Sequence, residues 1–108
     1  DIDNNVTDKG RYMGIPALTL EILSPSTKTK DMIYKLNTYM TSGVSEYWIV
    51  DYNTRKITIY SFTDYKLNKM EVYKSGEVAK SEKFNGLTVN IDELFDALNI
   101  FNQTSIDD

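Results

Sequence analysis

Two short apolar runs, PALTLEIL at 16–23 and EYWIVDY at 46–52, constrain this chain more than anything else in it. Each has the length of a strand and is too short for an ordinary helix. Both are apolar on both alternating sets of residues. In the first, Leu18, Leu20 and Ile22 fall on one side and Ala17, Thr19, Glu21 and Leu23 on the other. That pattern predicts central strands with a layer against each face of the sheet. Between the runs, SPST at 24–27 reads as a turn with Ser26 or Thr27 as a candidate helix cap. Met32, Ile33, Leu36, Tyr39 and Met40 then recur at helical spacing, and Gly43 is a good terminator after about Ser42. Helix 28–42 is expected to bury those five residues. A strand, a helix and a second strand with short links predict a parallel crossover.

Downstream the period changes to that of a meander. NTRK at 53–56 turns into ITIYSF (57–62), followed by KLNKMEVYK (66–74) and a turn through SGE. GLTVNI (86–91) reads as a short strand, IDELFDAL (91–98) as a terminal amphipathic helix, and the polar tail from Asn102 as a frayed end. The polar residues 1–15, with Gly10 and Gly14, read as a loop leading into the first strand. The expected fold is α/β (mixed α+β). A mixed β-sheet with a strand-helix-strand crossover is followed by a β-meander and a C-terminal helix. The 108 residues make one domain. The opening DIDNNVTDKG, without an initial methionine, reads as the middle of a longer protein, so the chain is expected to be a C-terminal portion of a larger domain.

Several chemistries are excluded by composition. There is no cysteine and no histidine, so disulfide scaffolds, thiolate or imidazole metal sites and Ser-His-Asp catalysis are out of reach of this chain's own residues. The net charge of −4 lacks the strongly basic footprint of a dedicated nucleic-acid binder. No apolar stretch approaches a membrane span and no signal peptide is visible; the expectation is a cytoplasmic protein with no membrane partner. Chemistry must come from Asp, Glu, Lys, Tyr, Ser or Thr.

Within those limits three residues stand out. Glu21 places a carboxylate inside an apolar strand, where an isolated charge is expensive to bury. Asp31 and Lys35 are four apart on the next helix, on one face and beside the apolar stripe. If the helix packs back on the strand, Lys35 can approach Glu21. The plain reading is a weak surface ion pair between Asp31 and Lys35, with Glu21 exposed at an edge or salt-bridged. The functional reading is metal-assisted phosphodiester cleavage, in which carboxylates hold Mg²⁺ in an incomplete shell and a lysine stabilises developing charge.

The segments IPALTLEILSPST and KDMIYKLNTYMTSGVSEYWIVDYNTRKITIY resemble the Uma-two family of restriction-endonuclease-like proteins, in the PD-(D/E)XK nuclease superfamily. The likeness runs over 14–60, and more loosely through FNGLTVNIDELF. It rests on a Glu-containing strand ending in Ser-Pro-Ser, on Asp and Lys four apart on the next helix, and on a GV-x-EYW-x-VD segment. The resemblance implies a Mg²⁺-dependent DNA endonuclease, with Glu21 as the acidic residue of the metal-binding strand and Lys35 as the active-site lysine, relocated to the helix. Asp31 and Glu46 are candidates for groups supporting that site. Lys28 and Lys30 are candidate phosphate contacts, or ordinary solvated lysines. Tyr47 and Trp48 read as core aromatics, with base stacking as the functional alternative, and Asp51 as a turn residue.

Two positions depart from the pattern. Ala17 stands where the family usually has Asp, and Leu23 stands where the superfamily motif expects lysine. The resemblance also implies a first metal-binding Asp on an earlier strand, which this chain is expected to lack; Asp1 and Asp3, read as lying in a polar loop, are poor substitutes. The 108-residue chain is therefore expected to bind Mg²⁺ weakly and to be inactive alone. The rival expectation is a non-catalytic module of the same fold, used for protein association or nucleic-acid binding. Exposed strand edges would favour a homodimer.

Overall fold

In the computed structural model, which describes residues 15–107 and the side chains through residue 100, the crossover forms as the pattern predicts. Strand β1 (Leu18–Leu23) pairs in parallel with β2 (Glu46–Asp51), Leu18 opposite Glu46 and Glu21 opposite Ile49. Helix α1 (Thr29–Ser42) connects them. Antiparallel β3 (Lys56–Thr63) and β4 (Lys66–Tyr73) complete a four-stranded mixed sheet in the order β1-β2-β3-β4. Strands β5 (Val78–Lys80) and β6 (Thr88–Asn90) form a separate two-stranded sheet, and α2 (Ile91–Asp107) follows.

The alternation of β2 and β3 splits the core in two. Tyr47, Ile49 and Phe62 are buried on one face, with Met32, Leu36, Tyr39 and Met40 of α1 packed against them. Trp48, Val50, Ile57 and Ile59 are buried on the other, under Ala79 of β5 and Ile91 and Phe95 of α2. β2 is thus buried from Glu46 through Val50, as a strand with apolar residues on both faces requires. Gly43 closes α1 in the left-handed region (φ 95°), with its own N–H on the Met40 carbonyl and that of Val44 on the Tyr39 carbonyl. A β-carbon at Gly43 would also lie 3.3 Å from the ring of Tyr65, a tight contact that this exposed side chain would have to relieve by a small shift.

Several expectations need correction. Among the described residues β1 is an edge strand, not a central one, and Leu20 and Ile22 are 50% and 56% exposed. On their face of β1 only Leu18 packs against the core cluster that contains Ile91 and Phe95 of α2. The α1 stripe is only half covered: Met32, Leu36, Tyr39 and Met40 are partly buried, while Ile33 is 62% exposed. Ile33, Leu36, Asn37 and Met40 border an open groove against Leu67 of β4, because nothing described covers that side of the helix. Neither Ser26 nor Thr27 caps α1. The Thr27 hydroxyl takes the Ser24 N–H (3.1 Å), so the Ser-Pro-Ser-Thr turn binds itself, and the helix starts at Thr29, after Lys28 at its cap position. β5, absent from the sequence reading, is a three-residue strand that forms because β6 pairs with it. α2 continues beyond 98 through Asp107, with no Gly or Pro to stop it, so Asn102 is helical. The expectations for residues 1–14, including Asp1 and Asp3, lie outside the described residues.

These burials set the expected costs of truncation. Phe95→Ala, at a fully buried site, should destabilise by about 3–5 kcal/mol. Leu36→Ala, at a half-buried one, should cost about 1–2 kcal/mol, below the range for a fully buried leucine. Urea unfolding of the two variants checks the order, and equal losses would show that α1 is covered more fully than its exposure indicates.

Candidate functional site

Glu21 points to the α1 face because the parallel register sets it beside Ile49 and diagonal to Tyr47 on that face. The helix leaving β1 folds back over the same face, which brings Lys35 within reach. The Lys35 ammonium donates to Glu21 Oε1 at 2.9 Å. One helical turn further on, the Tyr39 hydroxyl donates to Oε2 at 3.2 Å, and from β2 the Tyr47 hydroxyl donates to Oε1 at 3.5 Å. The lysine side chain is 46% exposed and the glutamate 21%, so the pair sits at a rim, neither buried nor free. Beneath it the rings are packed: Tyr39 and Tyr47 lie 4.8 Å apart and tilted, and Tyr47 stacks on Tyr60 at 6.0 Å.

The protonation states follow from this arrangement. Burial, and then the Glu21 charge, push the Tyr47 phenol well above its ordinary value, and the same two causes raise Tyr39. The hydrogen bond to Glu21 raises the Lys35 pKa, opposed by partial desolvation. At neutral pH the site is therefore an ammonium and two phenols donating to one carboxylate.

The other candidates fall elsewhere. Asp31 is exposed one turn before Lys35 and adds only its charge, since the ammonium turns to Glu21. Glu46 is on the opposite face from Glu21, next to Trp48, and so does not support the Glu21 site. It is fully buried and accepts five hydrogen bonds. Trp48 Nε1 (2.9 Å) and Ser81 Oγ (2.8 Å) bind Oε1; Ser61 Oγ (3.3 Å) and the backbone N–H groups of Glu82 (2.6 Å) and Lys83 (2.9 Å) bind Oε2. The supporting role expected for Glu46 does not match that placement; it ties β2 to the 81–83 loop. Tyr47 and Trp48 are buried, which removes them as base-stacking platforms. Asp51 accepts the N–H groups of Asn53 and Thr54, the turn role its position suggested, and Lys28 and Lys30 are exposed at the start of α1.

Sequence reasoning missed the two tyrosines as partners of Glu21. One signal was present: Tyr39 is four residues past Lys35 and so on the same helical face. Tyr47 carried no comparable mark beyond its aromaticity. Among the described residues no group of three metal-ligating side chains converges. Glu21 offers one carboxylate with three protein donors already on it, which is too few ligands to hold a Mg²⁺ ion by itself.

The four-stranded mixed sheet and its strand-helix-strand crossover define a mixed α/β fold. It matches the crystal structure of a "putative nuclease belonging to DUF820" from Anabaena variabilis with a TM-score of 0.67 at 19% identity, a likeness of fold. The match covers 86% of this chain and 54% of that one, so this chain spans about half the length of its structural relative. Residues 2–92 match the family Uma2, described as "Putative restriction endonuclease", and the chain belongs to that family. No curated protein matches it. Among the described residues no helix is long and apolar enough to cross a membrane.

The buried carboxylate sets a pH dependence. Burial opposes the charge on Glu46, but the hydrogen bonds from Trp48, Lys83, Ser81 and Glu82 outweigh it and hold the pKa below the usual carboxylate value. A depressed folded-state pKa means that the contribution to stability is complete above the unfolded value, about 4.3, and is lost as pH falls through the folded value. Glu46→Gln sets an amide N–H₂ against N–H and O–H donors and should cost about 3 kcal/mol at pH 7. The difference in urea midpoint between wild type and E46Q should shrink below pH 4; a difference that stays constant to pH 3 would show that the charge on Glu46 is not what the five donors stabilise.

Proposed function

We propose that this chain is the part of a Mg²⁺-dependent DNA endonuclease that carries Glu21 and Lys35. The observation behind the reading is the 2.9 Å contact between those side chains, made across the strand-helix crossover in a chain of the Uma2 family. Lys35, half exposed at the rim, can donate to a phosphodiester oxygen and stabilise the negative charge that develops there during hydrolysis. Glu21 contributes one carboxylate toward the metal. Further carboxylate ligands must come from beyond the described residues, because Glu21 alone leaves the ion mostly hydrated and poorly fixed against a phosphate.

The test is plasmid cleavage with and without Mg²⁺, run on this chain and on a longer one carrying any residues its gene encodes upstream. The 108-residue chain should not cut, and the longer chain should nick or cut only with the metal. Glu21→Gln should abolish the activity while keeping the side chain's shape. Lys35→Ala should lower it about 10²–10³-fold with metal binding retained. A longer chain that stays inert despite an intact upstream Asp would favour the second reading, a non-catalytic module. The observation on that side is that Glu21 is already engaged by three donors.

A further inference from the structure

Glu21 has two kinds of partner, and they differ in how firmly they are held. Lys35 reaches it on a long flexible stem, with its side chain 46% exposed, and water competes for such a contact. Tyr39 and Tyr47 reach it from a packed stack of rings. Tyr47 has no exposed surface, it lies in the core with Ile49 and Phe62, and Tyr39 leans on it at 4.8 Å. A tyrosine has only two side-chain torsions, and here ring packing restrains them. The hydroxyls are divided between the oxygens, Tyr47 on Oε1 and Tyr39 on Oε2. With Tyr39 at 3.2 Å from one oxygen and Tyr47 at 3.5 Å from the other, the carboxylate cannot turn about its last bond without lengthening one of these contacts.

We infer that Tyr39 and Tyr47 are positioning residues that hold the Glu21 carboxylate in one orientation independently of Lys35. The purpose of this hold rests on the nuclease reading above. Lys35 can then pass its hydrogen bond from Oε1 to a phosphate oxygen of an arriving nucleic acid, and Glu21 stays where the tyrosines keep it. No bond is made or broken in the exchange, and the ammonium keeps its charge throughout. The ion pair in the free protein is accordingly a resting state of the lysine, and the phenol contacts stay in place through the exchange.

Two measurements test this, both with Tyr39→Phe and Tyr47→Phe, which keep the rings and remove the hydroxyls. Tyr52→Phe is the control: it removes a hydroxyl that bonds Asn99 at 2.9 Å, away from Glu21. In the ¹³C-labelled chain at pH 7, the Glu21 carboxyl carbon signal is identified by its loss in Glu21→Gln. It should shift in both Phe variants and stay in place in Tyr52→Phe; a signal unmoved in Y39F and Y47F overturns the inference. In the longer chain of the cleavage assay, Y39F and Y47F should each lower kcat about 10- to 100-fold with KM unchanged. Wild-type kcat in both variants would overturn the positioning role even if the signal shifts. A wild-type longer chain that cleaves nothing sinks the nuclease reading instead, and the carboxyl signal then decides by itself whether the tyrosines hold Glu21.

Discussion

The parallel pairing of β1 with β2, with Glu21 opposite Ile49, is the constraint on which the rest of the structure depends. A register one residue away would turn Glu21 to the α2 side and Leu20 and Ile22 to the α1 side. Lys35, Tyr39 and Tyr47 could not then meet one carboxylate, since all three lie on the α1 face. The same register puts Glu46 beside Leu18, on the side where the 81–83 loop can close over it. A single alignment of six residue pairs thus sorts two glutamates to opposite faces with opposite fates.

Those two carboxylates show how environment divides identical side chains. Glu46 has no exposed surface, and its partners are a tryptophan N–H, two serine hydroxyls and two backbone N–H groups, with no cation among them. A buried charge can be satisfied by dipoles alone when both oxygens are saturated. Such a group is committed to structure. Glu21 keeps a fifth of its side-chain surface open and has a half-exposed ammonium among its partners, for which water and other ligands can compete. The difference between a clamp and a site is set by exposure and by which partners can leave.

The uncovered parts of the molecule follow from the same layering. α2 and the small sheet cover the middle of one face, and α1 covers β1, β2 and part of β3 on the other. Beyond those layers lie the exposed Leu20 and Ile22 of β1 and the exposed Leu67, Met70 and Val72 of β4. The two edges differ in kind. β4 carries Lys66 and Lys69, charges of the sort that discourage edge pairing, and Lys69 is tied to Glu71 and Glu82. β1 has no lysine along its length.

Local pattern in the sequence was enough for the crossover, for the β2-β3-β4 meander, for Gly43 as the end of α1 and for the approach of Lys35 to Glu21. Each depends on period, turn chemistry or the short reach of a helix packing on the strand it leaves. What covers each face was decided only by the tertiary structure. Residues 18–23 carry the apolar pattern of a central strand, yet among the described residues β1 lies at an edge, because strand order depends on partners that its own residues do not name. Ile33 fits the helical stripe but is left outside, because α1 meets the sheet along a narrower line than its apolar residues span. The burial of Glu46 was illegible for a related reason. Most of its donors come from residues 61 and 81–83, far along the chain, and only folding brings a carboxylate and N–H groups that distant to within hydrogen-bonding range.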